Sequence, residues 1–166
     1  MLRYQLINGG VVAMLNDEIF IILANDSLIP QTKIFFLKIF EPLIFNELLR
    51  SINELETRAS RENCEVYCIF HNSLMVACAQ IDWYNDYAHI NLFGILKEFR
   101  GHGIPKKFIL WLEKHCLELN KSRIEFDTLE DWQTRHYFYL RLGFTKGSEF
   151  HRDNIQFRKF IKEIKS

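Results

Sequence analysis

The residues best placed to do chemistry lie in Asn91-Leu-Phe-Gly-Ile-Leu-Lys-Glu-Phe-Arg100-Gly-His-Gly103-Ile-Pro-Lys-Lys-Phe-Ile-Leu-Trp-Leu112. Here an apolar strand runs into a glycine-bearing turn that opens an amphipathic helix. Backbone N–H groups at a helix start have no partner within the helix and sit at the positive end of its dipole. Such a turn can therefore receive a phosphate without a basic side chain. Gly101 and Gly103 supply free choice of φ and no Cβ to hold an anion off the backbone. A short glycine pattern alone serves equally as an ordinary strand-to-helix turn. A second group follows a helix and a strand later: Phe138-Tyr139-Leu-Arg-Leu-Gly143-Phe144. Judged alone, Tyr139 belongs to the aromatic cluster Tyr137-Phe138-Tyr139 and packs with its hydroxyl at the rim.

The two motifs, in this order and with a helix and a strand between them, resemble the signatures of the GNAT family of N-acetyltransferases. Arg100-x-x-Gly103-x-Pro105 is similar to its R/Q-x-x-G-x-G/A motif, and Tyr139 to Phe144 to its Y-x-x-x-G-F signature. The resemblance covers about Lys33 to Ile164 and departs from the pattern at Pro105, Trp132 and Arg135. It implies an acetyl-CoA-dependent transfer to a primary amine of a small molecule, a peptide N-terminus, a lysine or an aminoacyl-tRNA. Phe93, Gly94, Ile95 and Leu96 would pair with the pantetheine arm, and Arg100, Gly101, His102, Gly103, Ile104 and Pro105 would hold the pyrophosphate. Pro105 cannot donate to a phosphate. The family places a tyrosine that protonates the departing thiolate at Tyr139. Some members carry the general base six residues before the position of Ile95, which is His89 here. An imidazole with an ordinary pKa of about 6.5 could fill that role, or His89 is a half-exposed strand residue with none. Asp82, Glu130 and Asp131 are alternatives for relaying a proton. Two other readings remain: a non-catalytic acyl-CoA-binding or interaction protein with a degenerate site, and a toxin-like acetyltransferase of charged tRNA.

Composition narrows the classes. With 166 residues the chain is long enough for one globular domain with a full core. Its 21 basic residues balance 21 acidic ones, so no global charge steers it to nucleic acid or to an acidic membrane. The four cysteines, Cys64, Cys68, Cys78 and Cys116, form no C-x-x-C pair and no Cys/His metal spacing. They read as reduced core residues, and no metal is expected. The longest apolar runs fall far short of the about 20 residues that span a bilayer, and the N-terminus has no signal pattern. A cytoplasmic protein is the expectation.

The elements that must position these residues follow from periodicity and turn pairs. Residues 1–30 read as a β meander with runs at Val11 to Leu15 and Ile19 to Leu23, ended by Pro30. They are expected as an extension packed on a main domain of residues 31–166, or in a homodimer, since an isolated hairpin is marginal in water. Ile34 to Phe40 reads as a strand. Glu41-Pro42 opens a helix with Phe45, Leu48, Leu49, Ile52 and Leu55 on one stripe. A hairpin turns at His71-Asn72-Ser73, and a strand spans Tyr87 to Leu96. Then come a helix from Ile104 to Asn120 bearing Phe108, Ile109, Leu112, Cys116 and Leu119, a strand to Leu129, a helix over Trp132 to Leu142 and a hairpin at Asp153-Asn154. This order predicts an α+β fold, a mixed and largely antiparallel sheet flanked by helices, without the second short helix that the family carries after its first.

Overall fold

Turn pairs and capping residues divide the chain into nine strands and five α-helices among the residues that the structure, a computed structural model, describes: 4–7, 10–14, 18–40, 46–130 and 133–165. The turn at Gly9, the pair Asn16-Asp17, Glu41-Pro42, Phe45, Asp131 and Trp132 lie outside the described residues. In chain order the strands are β1 (Tyr4–Ile7), β2 (Gly10–Met14), β3 (Ile19–Leu23), β4 (Cys64–His71), β5 (Leu74–Trp83), β6 (Tyr87–Ile95), β7 (Arg123–Leu129), β8 (Thr145–Arg152) and β9 (Ile155–Glu163). The helices are α1 (Ile29–Phe40), α2 (Asn46–Asn53), α3 (Leu55–Ala59), α4 (Ile104–Glu118) and α5 (Gln133–Arg141). The hydrogen-bonded order is β1-β2-β3-β4-β5-β6-β7-β9-β8. The β6–β7 pair is parallel, while β1–β2, β2–β3, β3–β4, β7–β9 and β8–β9 are antiparallel. This is the expected α+β class. The hairpin at Asp153-Asn154 has both residues at positive φ, 47° and 63°, which matches the right-handed twist of the strands it joins.

Two compact units share the chain: Met1–Ile81 with Leu92–Ile104, and Asp82–Asn91 with Pro105–Ser166. Strand β6 contributes its first half to the second unit and its second half to the first.

In the first unit the expected strand Ile34 to Phe40 is the body of α1. The correction has a physical cause, because periodicity cannot tell a short, nearly continuous apolar run from a buried helix segment. The deciding signals lie upstream. The Asn25 side-chain oxygen accepts from the Leu28 N–H at 3.2 Å and from the Ser27 hydroxyl at 2.8 Å. Pro30, read as a terminator, sits in the first helical turn, where its missing N–H costs nothing. Ile29, Thr32 and Phe36 form the buried stripe of α1, and Ile34 faces solvent. The apparent lack of a second helix disappears with the same correction, since α1 is followed by α2 and α3. Strand β3 takes the sheet position beside β4, with Ile21 opposite Ile69. Phe36, Ile52, Leu55, Val66, Cys68, Cys78 and Leu92 make the core of this unit. Gly94 belongs to that packing: a Cβ there would meet the Phe36 ring at 3.3 Å and Ile39 at 3.4 Å.

In the second unit α4 buries Phe108, Ile109, Trp111, Leu112 and Cys116. Leu119, expected on that stripe, lies beyond the helix end and is exposed. Asn120, with φ 56°, stops the helix, donating to Leu117 O at 3.1 Å while Lys121 N donates to Cys116 O at 2.8 Å. That crossed pair of bonds is a Schellman cap. All four cysteines are buried and none is in a disulfide, and burial pushes the Cys116 thiol up to about 12.

Candidate functional site

The turn between β6 and α4 is built locally. A short 3₁₀ turn over Lys97–Phe99 brings the chain to Arg100, which is extended and exposed. Gly101 and Gly103 then take φ +83° and +75°, a region in which a side chain is strained. A Cβ at either glycine would have no atom within 4 Å, so conformation and not crowding requires glycine, and the backbone lies open. His102 is exposed, and its Nδ1 lies 3.1 Å from Arg100 O. Ile104, fully buried, anchors the first turn of α4. Pro105 is the second helical residue. Its missing donor is one of the four at a helix start that have no partner in the helix. The turn therefore presents the amides of Gly103, Ile104 and Lys106 to an anion, and these donors fit a phosphate. Of the residues before it, Phe93 to Ile95 are the last of β6, and Leu96, just past the strand, donates its N–H to Val76 O at 2.9 Å.

Tyr139 stands at the end of α5, and the signature around it is a helix terminator. Phe144 N donates to Tyr139 O at 3.2 Å and Gly143 N to Leu140 O at 3.0 Å, with Gly143 at φ +87°. This too is a Schellman cap, with Phe144 packing back on the Tyr139 ring at 6.4 Å. Lys162 of β9 completes the end by donating to Leu142 O at 2.5 Å while pairing with Glu113 of α4. Tyr139 also packs on Phe126 at 4.3 Å and Phe160 at 5.5 Å.

His89 sits opposite Glu125 in the β6–β7 register. On that face of the strands charges alternate and satisfy one another. Glu125, only 4% exposed, accepts from Arg123 at 2.7 Å and Lys159 at 2.8 Å. Burial raises its carboxyl, but these two cations outweigh that and hold it below its ordinary value. Asp127 Oδ2 accepts from Arg152 at 2.9 Å and lies 3.7 Å from His89 Nε2. Burial is the largest influence on His89 and, with Lys159, lowers its pKa against the opposing pull of Asp127, Asp82 and Glu125. The imidazole is thus neutral at ordinary pH and able to accept a proton. Side chains alternate along a strand, so Phe126, with Tyr139 on it, points to the opposite face of β7 from Glu125 and Asp127.

The sequence profile of the acetyltransferase (GNAT) family matches residues 33–144. The chain belongs to the GNAT acetyltransferase family. Solved GNAT enzymes share its fold at low identity. The Salmonella typhimurium acetyltransferase that modifies the N-terminal serine of ribosomal protein L7/L12 has a TM-score of 0.74 at 14% identity, over 93% of this chain and 99% of that one. RimL, an L7/L12 α-N-protein acetyltransferase, in complex with coenzyme A gives 0.71 at 15% identity, over 92% and 98%. The Escherichia coli ribosomal-protein-S18-alanine N-acetyltransferase gives 0.71 at 12%, over 89% and 95%. No curated protein sequence matches the chain. RimL without ligand aligns over 99% of this chain, so the likeness extends into the N-terminal strands that the motif resemblance left out.

In this GNAT chain Phe93 to Ile104 fall in one compact unit, and His89, Pro105 and Tyr139 in the other. Glu130, an alternative for proton relay, is held by two bonds from Arg158, at 2.8 and 3.1 Å, which keep its carboxyl below its ordinary value. Asp127 and Arg152 did not stand out in the sequence. Alternating charge along a strand ordinarily marks a solvated face, and only the register sets Glu125 opposite a histidine. No group of three or more His, Cys, Asp or Glu among the described residues could hold a metal. Gly143→Ala should lower stability by about 1–2 kcal/mol, the cost of a side chain in a left-handed conformation. Its Cβ would also press on Lys162 Cε at 3.4 Å. Denaturant unfolding of the variant measures this.

Proposed function

We propose that this GNAT enzyme uses acetyl-CoA to acetylate a primary amine. The supporting observation is the open turn from Arg100 to Pro105, whose two left-handed glycines bare the amides at the start of α4 to a pyrophosphate. When bound, coenzyme A supplies the thioester whose carbonyl is attacked. The backbone of Phe93 to Ile95 would align its amide arm along the end of β6. A main-chain N–H near Gly94 or Ile95 would polarise the carbonyl, and such a donor acts most strongly as negative charge develops on the oxygen.

The rest belongs to two side chains. His89, kept neutral by burial, takes a proton from the substrate ammonium, and Asp127 steadies the imidazolium that results. The free amine forms the C–N bond as the C–S bond breaks, the nitrogen sheds its second proton to solvent, and Tyr139 returns a proton to the leaving sulfur. The solved relatives act on the N-terminal serine of L7/L12 and on the alanine of S18, which supports an amine on a protein as the acceptor class.

Gly103→Glu would place a carboxylate where the pyrophosphate binds, and coenzyme A should no longer raise the melting temperature of the variant. Equal stabilisation of variant and parent would refute the turn as the binding site. The kcat/KM of the parent should rise with pH through a value below about 6.5, the ordinary histidine pKa. His89→Gln should lose that limb and about 10²–10⁴-fold in rate. The sign carries to stability: the unfolded chain protonates His89 first, so its contribution is full above about pH 6.5 and falls as pH drops toward the lowered folded value. Tyr139→Phe should reduce kcat while leaving coenzyme A affinity unchanged, as titration calorimetry would show, because a proton donor acts in the transition state.

A further inference from the structure

One rung past the last paired residues of β6 and β7, Ile90 and Phe126, stand Asn91 and Asp127. By alternation both lie on the face that carries His89 and Glu125. Two polar atoms there are shielded from solvent and have no hydrogen-bond partner: Asn91 Nδ2, a donor, and Asp127 Oδ1, an acceptor. The Asp127 side chain is 7% exposed, and its other oxygen is already engaged by Arg152 and His89. Buried polar groups are rarely left unpaired, because each orphan forfeits its hydration without return. A donor on β6 and an acceptor on β7, orphaned on the one face that also carries a neutral histidine, describe the ligand that would satisfy them. It carries an amine for Asp127 and His89 and, a short way off, a carbonyl oxygen for Asn91.

From this geometry we infer that the acceptor is an α-amine, the N-terminal residue of a peptide or protein, recognised through its first carbonyl by Asn91 and through its nitrogen by Asp127. The inference rests on the acetyltransferase reading above and narrows it. A lysine ε-amine has no carbonyl within several bonds and would leave Asn91 Nδ2 unpaired. The α-amine of an aminoacyl-tRNA has the same two groups, but the cations of this face, Arg123, Lys159 and Arg152, are committed to Asp86, Glu125 and Asp127. The chain as a whole is neutral. Phosphate-rich partners are bound through accessible cations, so a peptide fits better.

The test measures acetyl transfer from acetyl-CoA to four acceptors: tripeptide amides with a free N-terminus, the same peptides with the first carbonyl reduced to CH₂, Nα-acetyl-lysine methylamide and alanyl-tRNA. The intact peptide should exceed its reduced analogue by about ten-fold in kcat/KM, the scale of one hydrogen bond. Asn91→Leu should erase that ratio by lowering activity on the intact peptide alone. Equal use of the reduced analogue, preference for the lysine or tRNA probe, no transfer to any peptide, or an unchanged ratio in the variant would overturn the inference. If Asn91→Leu does not fold, the ratio measured on the parent decides alone. A parent that fails to bind coenzyme A strikes the broader acetyltransferase reading, and one that binds it but ignores α-amines strikes only this one.

Discussion

The parallel pairing of β6 with β7 governs what this protein can do. Two parallel strands cannot be joined by a tight turn, so the chain must leave the end of β6, cross over as α4 and re-enter at the start of β7. That crossing forces a helix N-terminus to lie just past the end of a strand, and the bare amides of a helix start are the part of a backbone that most favours negative charge. The glycines at 101 and 103 let the chain turn there without placing a side chain over those amides. The register of four rungs, Tyr87 to Ile90 against Arg123 to Phe126, then brings His89 level with Glu125 and one step from Asp127.

The second signature is explained by the mechanics of ending a helix. In Tyr139-x-x-x-Gly143-Phe144 the spacing is that of a Schellman cap: the tyrosine offers its carbonyl to the phenylalanine N–H, and the glycine supplies the left-handed turn between them. The same bonds that stop α5 therefore fix the backbone of Tyr139, the residue proposed above as proton donor. Lys162 and Glu113 add a charged link from this end to the middle of α4, so that the helix opening on the glycine turn and the helix carrying the tyrosine share a tether.

Legibility from sequence followed the range of the interactions. Local devices were readable: the hairpins at Asn72 and Asp153-Asn154, the start of α4 after Gly103, the span of β7 and the apolar stripe of Phe108, Leu112 and Cys116. The run Ile34 to Phe40 was misread because its composition suits a strand, and the information that makes it a helix lies at Asn25 and Pro30. Glu125 and Asp127 were passed over for a different reason. Alternating charges on a strand normally mark a wet face, and whether they are instead buried against partners depends on register, which no single segment encodes. His89 comes to notice only through the family resemblance, and its neighbours Glu125, Asp127 and Lys159 are visible only with β6, β7 and β9 side by side.

The thiols of this protein have a consequence at the bench. Cys64, Cys68, Cys78 and Cys116 are all buried, and burial raises the pKa of Cys78 and Cys116, so both stay in the unreactive protonated form. A disulfide dye added to a reaction mixture attacks thiolates that it can reach. In the folded enzyme it would report released coenzyme A over a nearly silent protein background, and a sudden rise of that background on heating would mark the moment the core opens.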